Sequence, residues 1–262
     1  MTTMPVDAAS AKPVRADSQE GSVVVAMEHL AKSFGDNHVL RGIDLVLNKG
    51  ENLVLLGKSG TGKSVLIKCV IGLVEPDGGI LRIFGQNVSE LKDVQLLDIR
   101  RKIGFLFQSG ALYDSMTVRE NLEFPLKRQQ RLLSNDQTDS LVAEALKNVG
   151  LAEAIEKTPS ELSGGMRKRL GLARTLILKP EIMLYDEPTA GLDPITSREI
   201  SNLILDVQKL YGTSSIIITH DIECAKRTAN RVIVIKDGVC DAEGSYADLK
   251  NSTDAWVRSF FE

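Results

Sequence analysis

The stretch LVLLGKSGTGKS, residues 53–64, passes from an apolar segment directly into a glycine-rich loop, and apolar residues resume at Val65. Glycines allow backbone N–H groups to turn inward around an anion. A helix that begins at the end of such a loop directs its positive end at the same point. A GxxxxGKS motif between a strand and a helix therefore predicts a phosphate-binding loop. Its expected members are Gly57, Lys58, Ser59, Gly60, Thr61, Gly62, Lys63 and Ser64.

Two residues of this loop have specific expected roles. Lys63 would reach the β- and γ-phosphates of a nucleotide, and Ser64 would ligate Mg²⁺. A glycine-rich turn without function is the alternative, but ordinary residue usage produces this pattern by chance in only ~1% of chains of this length. The flanking strand and helix patterns favour the phosphate loop further.

A second acidic site follows the apolar run IMLY, residues 182–185, which ends in Asp186 and Glu187. Buried strands rarely end in adjacent carboxylates without a purpose, because an unpaired carboxylate is costly to desolvate. We expect Asp186 to hold Mg²⁺ through its water shell and Glu187 to act as general base for an attacking water. Such a pair alone more often caps a helix or lies in a loop, so its weight comes from the phosphate loop in the same chain.

Short apolar or β-branched runs recur along the chain and predict strands buried on both faces of a parallel sheet. They are residues 23–27, 52–56, 103–107, 182–185, 215–219 and 231–235. Amphipathic helical patterns lie between them. They place Leu141, Ala145, Leu146 and Val149 on one helix face and Met166, Leu170, Ala173 and Ile177 on another. Strands that alternate with helices indicate an α/β fold.

Two segments depart from this alternation. Residues 1–22 are rich in Ala, Ser, Asp and Pro, which predicts a disordered tail. Helix and loop patterns dominate from about residue 90 to 165, and we interpret this range as a helical subdomain inserted in the α/β core. The charged run 127–131 within it is expected to be a solvated face.

The composition excludes several classes of protein. Of the 262 residues, 43% are hydrophobic and 26% are charged, with a formal net charge of −3, so neither a disordered chain nor a basic nucleic-acid binder is expected. Three separated cysteines without a CxxC pair indicate neither a disulfide framework nor a zinc site. The apolar runs are far shorter than the ~20 residues that span a bilayer, and the first residues lack the apolar region of a secretory signal. We expect a chain on the cytosolic side, without its own membrane anchor and without nucleic acid as partner.

The segment Leu162-Ser163-Gly164-Gly165-Met166 lies between the phosphate loop and the acidic strand. It resembles the LSGGQ signature of ABC-type ATPases, with Met in the last position. Ser163 and the amides of Gly164 and Gly165 would form an anion site at the start of a helix. A simple Ser N-cap is the alternative, and the two are compatible because both use the same unpaired amides. Met166 puts in doubt only contacts made by the usual Gln side chain.

The resemblance implies roles for four further residues. Phe34 would stack on adenine, Gln108 would sense Mg²⁺ and the γ-phosphate, Asp193 would belong to the family's D-loop, and His220 would contact the γ-phosphate. Phe34 as an ordinary hydrophobic residue near a strand end remains the alternative. The implied fold is a P-loop NTPase core with an antiparallel β subdomain and an inserted α-helical subdomain. It implies ATP and Mg²⁺ as cofactors, an ATPase domain over residues 23–245, and a C-terminal extension over residues 246–262.

The resemblance also implies partners. In the family, the signature completes the ATP site of a second copy, so a chain with one phosphate loop and one signature is expected to act as a homodimer. With no membrane span of its own, it is expected to serve a separate integral permease from the cytoplasmic face of the inner membrane. The helical insert and the loop at Gln108 would receive the permease's coupling helix. An ATPase of another importer or exporter, or a non-transport regulatory or DNA-associated ABC protein, is the alternative.

Residues 107–126, together with the LSGGM form of the signature, are similar to the ATPases of MCE-type lipid transport systems. These include the Mla phospholipid transporters and the relatives called toluene-tolerance proteins. This similarity implies transport of phospholipids or other hydrophobic molecules, with an MCE-domain substrate-binding protein and a small accessory subunit as further partners. The aromatic end, residues 256–261, is expected either to pack on its own core or to dock on a second protomer or accessory subunit.

Overall fold

A computed structural model describes residues 23–128 and 133–262 of the chain. The predicted disordered tail, residues 1–22, lies outside the described residues. The charged run 127–131 is only partly described, and its members Lys127 and Arg128 are exposed, as expected of a solvated face.

The described residues form ten strands, and each apolar run that predicts a strand coincides with one of them. Their bounds are β1 Val23–Phe34, β2 Asn37–Asn48, β3 Asn52–Leu56, β4 Gly78–Ile83, β5 Gln86–Asn87, β6 Ile103–Leu106, β7 Ile182–Asp186, β8 Ser214–Ile218, β9 Arg231–Lys236 and β10 Val239–Gly244. Four of these strands, β2, β4, β5 and β10, have no counterpart among the predicted runs. Strand β2 nevertheless carries the alternating pattern of a half-buried strand, since Ile43, Leu45 and Leu47 are buried and their neighbours are not.

Nine α-helices lie in the same described residues. They are α1 Lys63–Val70, α2 Asp93–Arg101, α3 Val118–Arg128, α4 Asn135–Val149, α5 Gly164–Leu176, α6 Pro194–Tyr211, α7 Ile222–Thr228, α8 Tyr246–Lys250 and α9 Ala255–Arg258. The first predicted amphipathic face lies on α4, and the second lies on α5 except for Ile177, which is the C-cap residue just after that helix. No helix within residues 23–128 or 133–262 has the length and apolar composition needed to cross a membrane.

The strands form two sheets. One is antiparallel, with the order β2-β1-β4-β5, and the other has the order β10-β9-β3-β8-β7-β6. In the second sheet, β9, β3, β8, β7 and β6 run parallel and only β10 is antiparallel. The expected α/β fold with an antiparallel β part is therefore confirmed. The predicted start of the helical insert at about residue 90 stays a prediction, and β6, which lies inside that range, belongs to the parallel sheet.

Strand β3 lies between two hydrophobic cores because its successive side chains point to opposite faces of the sheet. Leu53 and Leu55 pack in the core shared with the antiparallel sheet and α1, whereas Val54 and Leu56 pack in the core shared with helices α3 to α6. All five residues of β3 are buried. The strand that leads into the glycine-rich loop is thus held from both sides, which fixes the start of that loop.

The C-terminal aromatic residues pack against their own chain. Val257 and Phe261 are buried in the core on the helical side of the parallel sheet. The rings of Trp256 and Phe260 lie edge to face, with centroids 4.8 Å apart, and Lys236 Nζ lies 4.4 Å from the Trp256 ring centroid. This end of the chain therefore packs on its own core, and docking on a second protomer or accessory subunit stays a prediction.

Candidate functional site

The predicted site residues come together because the parallel strands end at one edge of the sheet. Strand β3 runs into Gly57, β6 is followed by Gln108, β7 ends at Asp186 and β8 is followed by His220. Ligand sites of open parallel sheets form at these carboxyl ends. A cavity of about 550 Å³ lies there, and its lining includes Gly57, Ser59, Gly60, Gly62, Lys63, Ser64, Gln108, Asp186, Glu187 and His220.

The glycine-rich loop folds around the side chain of Lys63. Its Nζ donates to the carbonyl oxygens of Gly57 and Lys58, each at 2.8 Å. Thr61 Oγ1 also donates to Lys58 O, at 2.9 Å. Gly62 has φ +95°, and a Cβ there would lie 2.8 Å from Val39 O, so both conformation and space require glycine. The loop is therefore held open in one shape, with the lysine at its centre.

Helix α1 begins inside this loop and presents unpaired amides to the cavity. Among the described residues no side chain caps α1, whose N-cap is Gly62 in the left-handed region. First-turn N–H groups without a cap need an external acceptor. Lys63 is only 8% exposed, and its burial lowers the pKa of the ammonium, which the charges of Glu187 and Asp186 partly oppose. The loop offers one cation and a set of N–H donors, which is the chemistry of a phosphate site.

Ser64 and Asp186 form the pair expected to hold Mg²⁺. Ser64 Oγ donates to Asp186 Oδ1 at 3.3 Å, although the two residues are 122 positions apart in sequence. Burial raises the pKa of Asp186, and the hydrogen bond from Ser64 opposes that rise. A hydroxyl and a carboxylate oxygen in contact are hard ligands of the type that Mg²⁺ prefers. Ser64 and Asp186 therefore have the chemistry to hold a magnesium ion.

Glu187 and His220 are in direct contact. His220 Nδ1 lies 2.8 Å from Glu187 Oε2, and the His220 backbone N–H also donates to that oxygen at 3.2 Å. Glu187 has φ +51°, a left-handed conformation that non-glycine residues rarely adopt, and its N–H donates to Ile218 O at 2.9 Å. The imidazole is 73% exposed, whereas the glutamate side chain is 16% exposed. The glutamate is thus fixed by its backbone and by His220 at the inner wall of the cavity.

Asp221, the residue after His220, holds this corner in place. Its Oδ1 accepts from the N–H groups of Glu223 and Cys224 at the start of α7, and its Oδ2 accepts from Thr189 Oγ1 at 2.9 Å. The motif that identifies His220 includes this aspartate but assigns it no function. An aspartate directly before a helix is a typical N-cap residue, and this is the signal that the sequence offers for Asp221.

The loop that follows Gln108 is anchored by Asn121 of α3. Asn121 is fully buried, and its amide donates to the carbonyls of Tyr113, Met116 and Thr117 while its Oδ1 accepts from the Tyr113 N–H. Gln108 itself is exposed and lines the cavity. Sequence reasoning missed Asn121, because an asparagine in a polar helix indicates a solvent-facing position until packing shows otherwise.

The signature segment lies away from this cavity. Ser163 caps α5 by accepting from the Met166 N–H at 3.2 Å, so the expected N-cap is present. A Cβ on Gly165 would lie 2.4 Å from Thr196 Cγ2, and Thr196 Oγ1 donates to Asp193 Oδ2 at 2.5 Å. Ser163, Gly164, Gly165 and Asp193 do not line the cavity. Residues 163–165 and Asp193 instead lie together, joined through Thr196, and we call this region the signature surface.

Asp193 is occupied within its own chain. Its side chain caps α6 by accepting from the N–H groups of Ile195 and Thr196, each at 3.0 Å. The hydrogen bonds from Thr196 lower the pKa of this carboxyl. A carboxylate cap of this kind suits the positive end of a helix.

Phe34 lies at the end of β1 and is 52% exposed, with Lys32 Nζ 5.4 Å from its ring centroid. It pairs with Asn37 across the turn to β2, and Val39 of that strand lines the cavity. The ring itself is not among the described residues that line the cavity. An exposed ring near the phosphate loop suits the expected stacking on adenine, and that role stays a prediction.

A strand that leads into a glycine-rich loop with a buried lysine, and an acidic pair at the end of another strand of the same sheet, define a P-loop nucleoside triphosphatase. Comparison with known families makes the assignment narrower. The family model described as ABC transporter matches residues 40–190, so the chain belongs to the ABC transporter family.

Curated relatives come from bacteria and a plant. A probable ribonucleotide transport ATP-binding protein, mkl, of Mycobacterium leprae is 42% identical over 78% of this chain. This chain spans only 58% of that protein's length. The chloroplastic protein TRIGALACTOSYLDIACYLGLYCEROL 3 of Arabidopsis thaliana is 37% identical over 92% of this chain and 74% of its own length.

Solved structures agree with the fold. A dimeric post-hydrolysis structure of the ATP-binding cassette MJ0796 bound to ADP and Pi has a TM-score of 0.77 and 32% identity, covering 85% of this chain and 98% of that one. CbiO1 of Clostridium perfringens, part of the ABC transporter complex cbiONQ, has a TM-score of 0.81 and 28% identity, covering 92% and 96%. The chain is accordingly an ABC-type ATPase.

Proposed function

We propose that this chain is the ATP-hydrolysing subunit of a transporter that moves phospholipids or similar hydrophobic molecules through a separate permease. The observation that carries the transport role is a groove beside the loop that follows Gln108. It has a volume of about 400 Å³ and is formed by α2, β6, the Gln108 loop, α3 and α5. Its lining includes Leu97, Phe107, Ala111 and Arg174.

The groove suits an amphipathic helix from another protein. Leu97 of α2 lines it and is 50% exposed, and Val94, one turn earlier, is 71% exposed. Arg100, Arg101 and Arg174 supply positive charge around these apolar side chains. An occupant with an apolar face and acidic flanks would bury Leu97 and Val94 and pair with the arginines. The same groove is continuous with the loop that carries Gln108, so its occupant is linked to the nucleotide cavity.

The lipid class is supported by two observations. The segment 107–126 and the LSGGM signature resemble MCE-type ATPases, and the Arabidopsis relative carries a glycerolipid in its name. Other relatives carry different substrates in theirs, since the Brucella abortus methionine import protein MetN is 37% identical over 84% of this chain. Amino-acid import is therefore the competing substrate class that an experiment must separate.

The residues at the cavity suggest how hydrolysis proceeds. Lys63 and the first amides of α1 hold the phosphates of ATP and neutralise charge that develops on them. Glu187 accepts the proton of the attacking water, and His220 keeps the carboxylate directed into the cavity through the 2.8 Å contact. Ser64 and Asp186 are the residues that would hold Mg²⁺, which supplies charge neutralisation at the phosphates when bound.

We further propose that two copies share their sites. The signature surface has N–H donors, and its residues do not line the cavity at the phosphate loop of their own chain, so it would cover the nucleotide of a second copy. Two identical surfaces related by a two-fold axis then form two composite sites. Binding of ATP would close the dimer and release of phosphate would open it. The permease would place the pair at the cytoplasmic face of the inner membrane, together with an MCE-domain protein and a small accessory subunit.

The test is purification of the tagged full chain from native membranes in mild detergent. A multi-span permease, an MCE-domain protein and bound phospholipid are the expected companions. Leu97→Glu should release the permease and leave ATP affinity unchanged, because a buried charge in the groove opposes docking. Leu210→Glu is the matched control, since Leu210 is also exposed, at 62%, but lies on α6 away from the groove.

Two outcomes would contradict the proposal. Recovery of a methionine-binding protein with the permease would replace lipid transport by amino-acid import. Recovery of no integral membrane protein from wild type would remove the transport role altogether.

A further inference from the structure

A buried lysine on α5, which the mechanism above does not use, contacts the loops that carry two of the proposed site residues. Lys168 is the middle residue of the basic run Arg167-Lys168-Arg169. Its neighbours bond elsewhere, since Arg167 donates to Leu162 O at 2.5 Å and Arg169 to Glu199 Oε2 at 2.8 Å. Lys168 alone points inward and is 7% exposed.

Its ammonium group joins two backbone segments that are 79 positions apart in sequence, residues 108 and 187. Lys168 Nζ donates to the carbonyl oxygen of Gln108 and to that of Glu187, the latter at 3.2 Å. A lysine ammonium has three N–H donors and can serve both oxygens at once. Since Gln108 follows β6 and Glu187 follows β7, the lysine bridges two adjacent strand ends.

The contact bears on the unusual backbone of Glu187. At φ +51° this residue needs surrounding structure to hold its conformation. Its N–H is held by Ile218 O at 2.9 Å, and its carbonyl accepts from the Ala190 N–H at 3.2 Å as well as from Lys168. The lysine thus supplies one of the contacts that determine where the Glu187 side chain points.

Burying the Lys168 ammonium is unfavourable unless its contacts with the Gln108 and Glu187 carbonyls serve a function. Burial lowers the pKa of its ammonium, and the charges of Glu187 and Asp186 partly oppose this. A buried cation held mainly by neutral carbonyls contributes little to stability compared with an apolar side chain of equal size. Lys63 shows the same balance of burial against the same two carboxylates. The acidic pair is therefore flanked by two buried lysines, one from the phosphate loop and one from the signature helix.

We propose that Lys168 is a positioning residue for hydrolysis. It fixes the backbones of Gln108 and Glu187 against α5, so that the base and the glutamine keep their directions relative to each other. The helix that carries it begins with the signature segment, so a shift of α5 moves both strand-end loops with it. This inference rests on the proposed role of Glu187 as general base.

The experiment compares ATP turnover and ATP affinity in three full-length variants. Lys168→Met keeps the length of the side chain and removes its donors. We expect kcat to fall by about tenfold because the base is misplaced, with the dissociation constant for ATP unchanged. Lys168→Arg keeps charge and donors and should recover most of the lost turnover. Lys147→Met on α4 is the matched control, since Lys147 is exposed, and should match wild type in both quantities.

Thermal unfolding separates positioning from a purely structural role. Unchanged kcat in Lys168→Met would overturn the proposal, and so would equal losses of kcat and ATP affinity with a lowered unfolding temperature. If Lys168→Met does not fold, Lys168→Gln, which keeps one amide donor group, takes its place with the same criteria. Glu187→Gln is measured alongside: normal turnover in that variant would refute the proposed base, whereas its loss together with normal Lys168→Met turnover would refute only the role of the lysine.

Discussion

The phosphate loop and the signature surface differ in the burial of their polar side chains and in what those side chains contact. Around the loop, Lys63, Asp186 and Glu187 converge on one cavity and are buried or half-buried. On the signature surface, Ser163 and Asp193 are exposed, and their oxygens are used to cap α5 and α6. In the proposed dimer, the phosphate loop of one chain would supply one side of a nucleotide site, and the exposed signature surface of its partner would supply the other.

The largest effect is expected from removing the proposed base, Glu187, from the phosphate-loop cavity. Glu187→Gln should lower ATP turnover by about 10³-fold, because the amide cannot accept a proton from water. Affinity for ATP should remain, since the loop and Lys63 are untouched. We expect the variant to accumulate as an ATP-bound dimer, which size-exclusion chromatography with ATP measures. Normal turnover, measured as phosphate release, would show that Glu187 is not the base.

A mixing experiment tests directly whether the phosphate loop of one chain acts with the signature surface of another. Lys63→Ala should lower ATP affinity by about 100-fold through loss of a buried cation at the phosphates. Ser163→Asp should leave ATP affinity intact but block turnover, because it places a carboxylate where a second chain's phosphate would lie. Each variant alone should be inactive.

Mixed together, the two variants should regain activity. A heterodimer pairs the intact loop of the Ser163→Asp chain with the intact signature of the Lys63→Ala chain, which makes one complete composite site. Phosphate release measured across mixing ratios should peak at equal amounts. Inactivity at every ratio, with heterodimers shown to form, would mean that loop and signature act within one chain.

A smaller effect is expected at Phe34, which lies at the end of β1 outside the lining of the cavity. Phe34→Ala should raise KM for ATP by about tenfold, since stacking of a base on an aromatic ring is worth ~1–3 kcal/mol. The kcat should not change, because the ring does not line the cavity that Asp186 and Glu187 line. Phe34→Tyr is the control and should keep the wild-type KM. An unchanged KM in Phe34→Ala would leave Phe34 as an ordinary exposed hydrophobic residue.

The smallest effect separates the two uses of Ser163. Ser163→Ala removes the cap of α5 and should lower the free energy of unfolding by ~1 kcal/mol. Ser163→Asp keeps an acceptor at the cap and should unfold at the wild-type temperature, although its turnover is blocked. Thermal unfolding of the two variants measures the difference. Equal stability of all three proteins would show that the 3.2 Å hydrogen bond to the Met166 N–H contributes nothing.

The sequence predicts the residues around the phosphate loop well because they are adjacent to strands with a clear apolar pattern. An apolar run such as 182–185 predicts a buried strand, and the acids that follow must then lie at its end. The strand order places those ends together, and the α/β pattern already favours such an edge. The roles of the individual site residues stay predictions that the variants above address.

The sequence predicts burial of single polar residues poorly. Lys168 lies in the run Arg167-Lys168-Arg169, which on composition alone indicates a solvated face. It nevertheless falls on the buried face of α5, three residues after Gly165 and four before Leu172, and helical spacing was the available signal. Asn121 gave no comparable signal, since its three carbonyl partners exist only once the loop has folded.

The positive φ of Glu187 has a consequence for how this ATPase can be stabilised. A non-glycine residue in the left-handed region costs on the order of 1 kcal/mol or more, and the folded protein carries this cost at Glu187. Glycine at this position would relieve the cost and remove the proposed base, so under the proposed mechanism selection for thermal stability and selection for catalysis act in opposite directions on one residue. The unfolding temperature of Glu187→Gly compared with that of Glu187→Gln measures that conflict, and the glycine variant should be the more stable of the two.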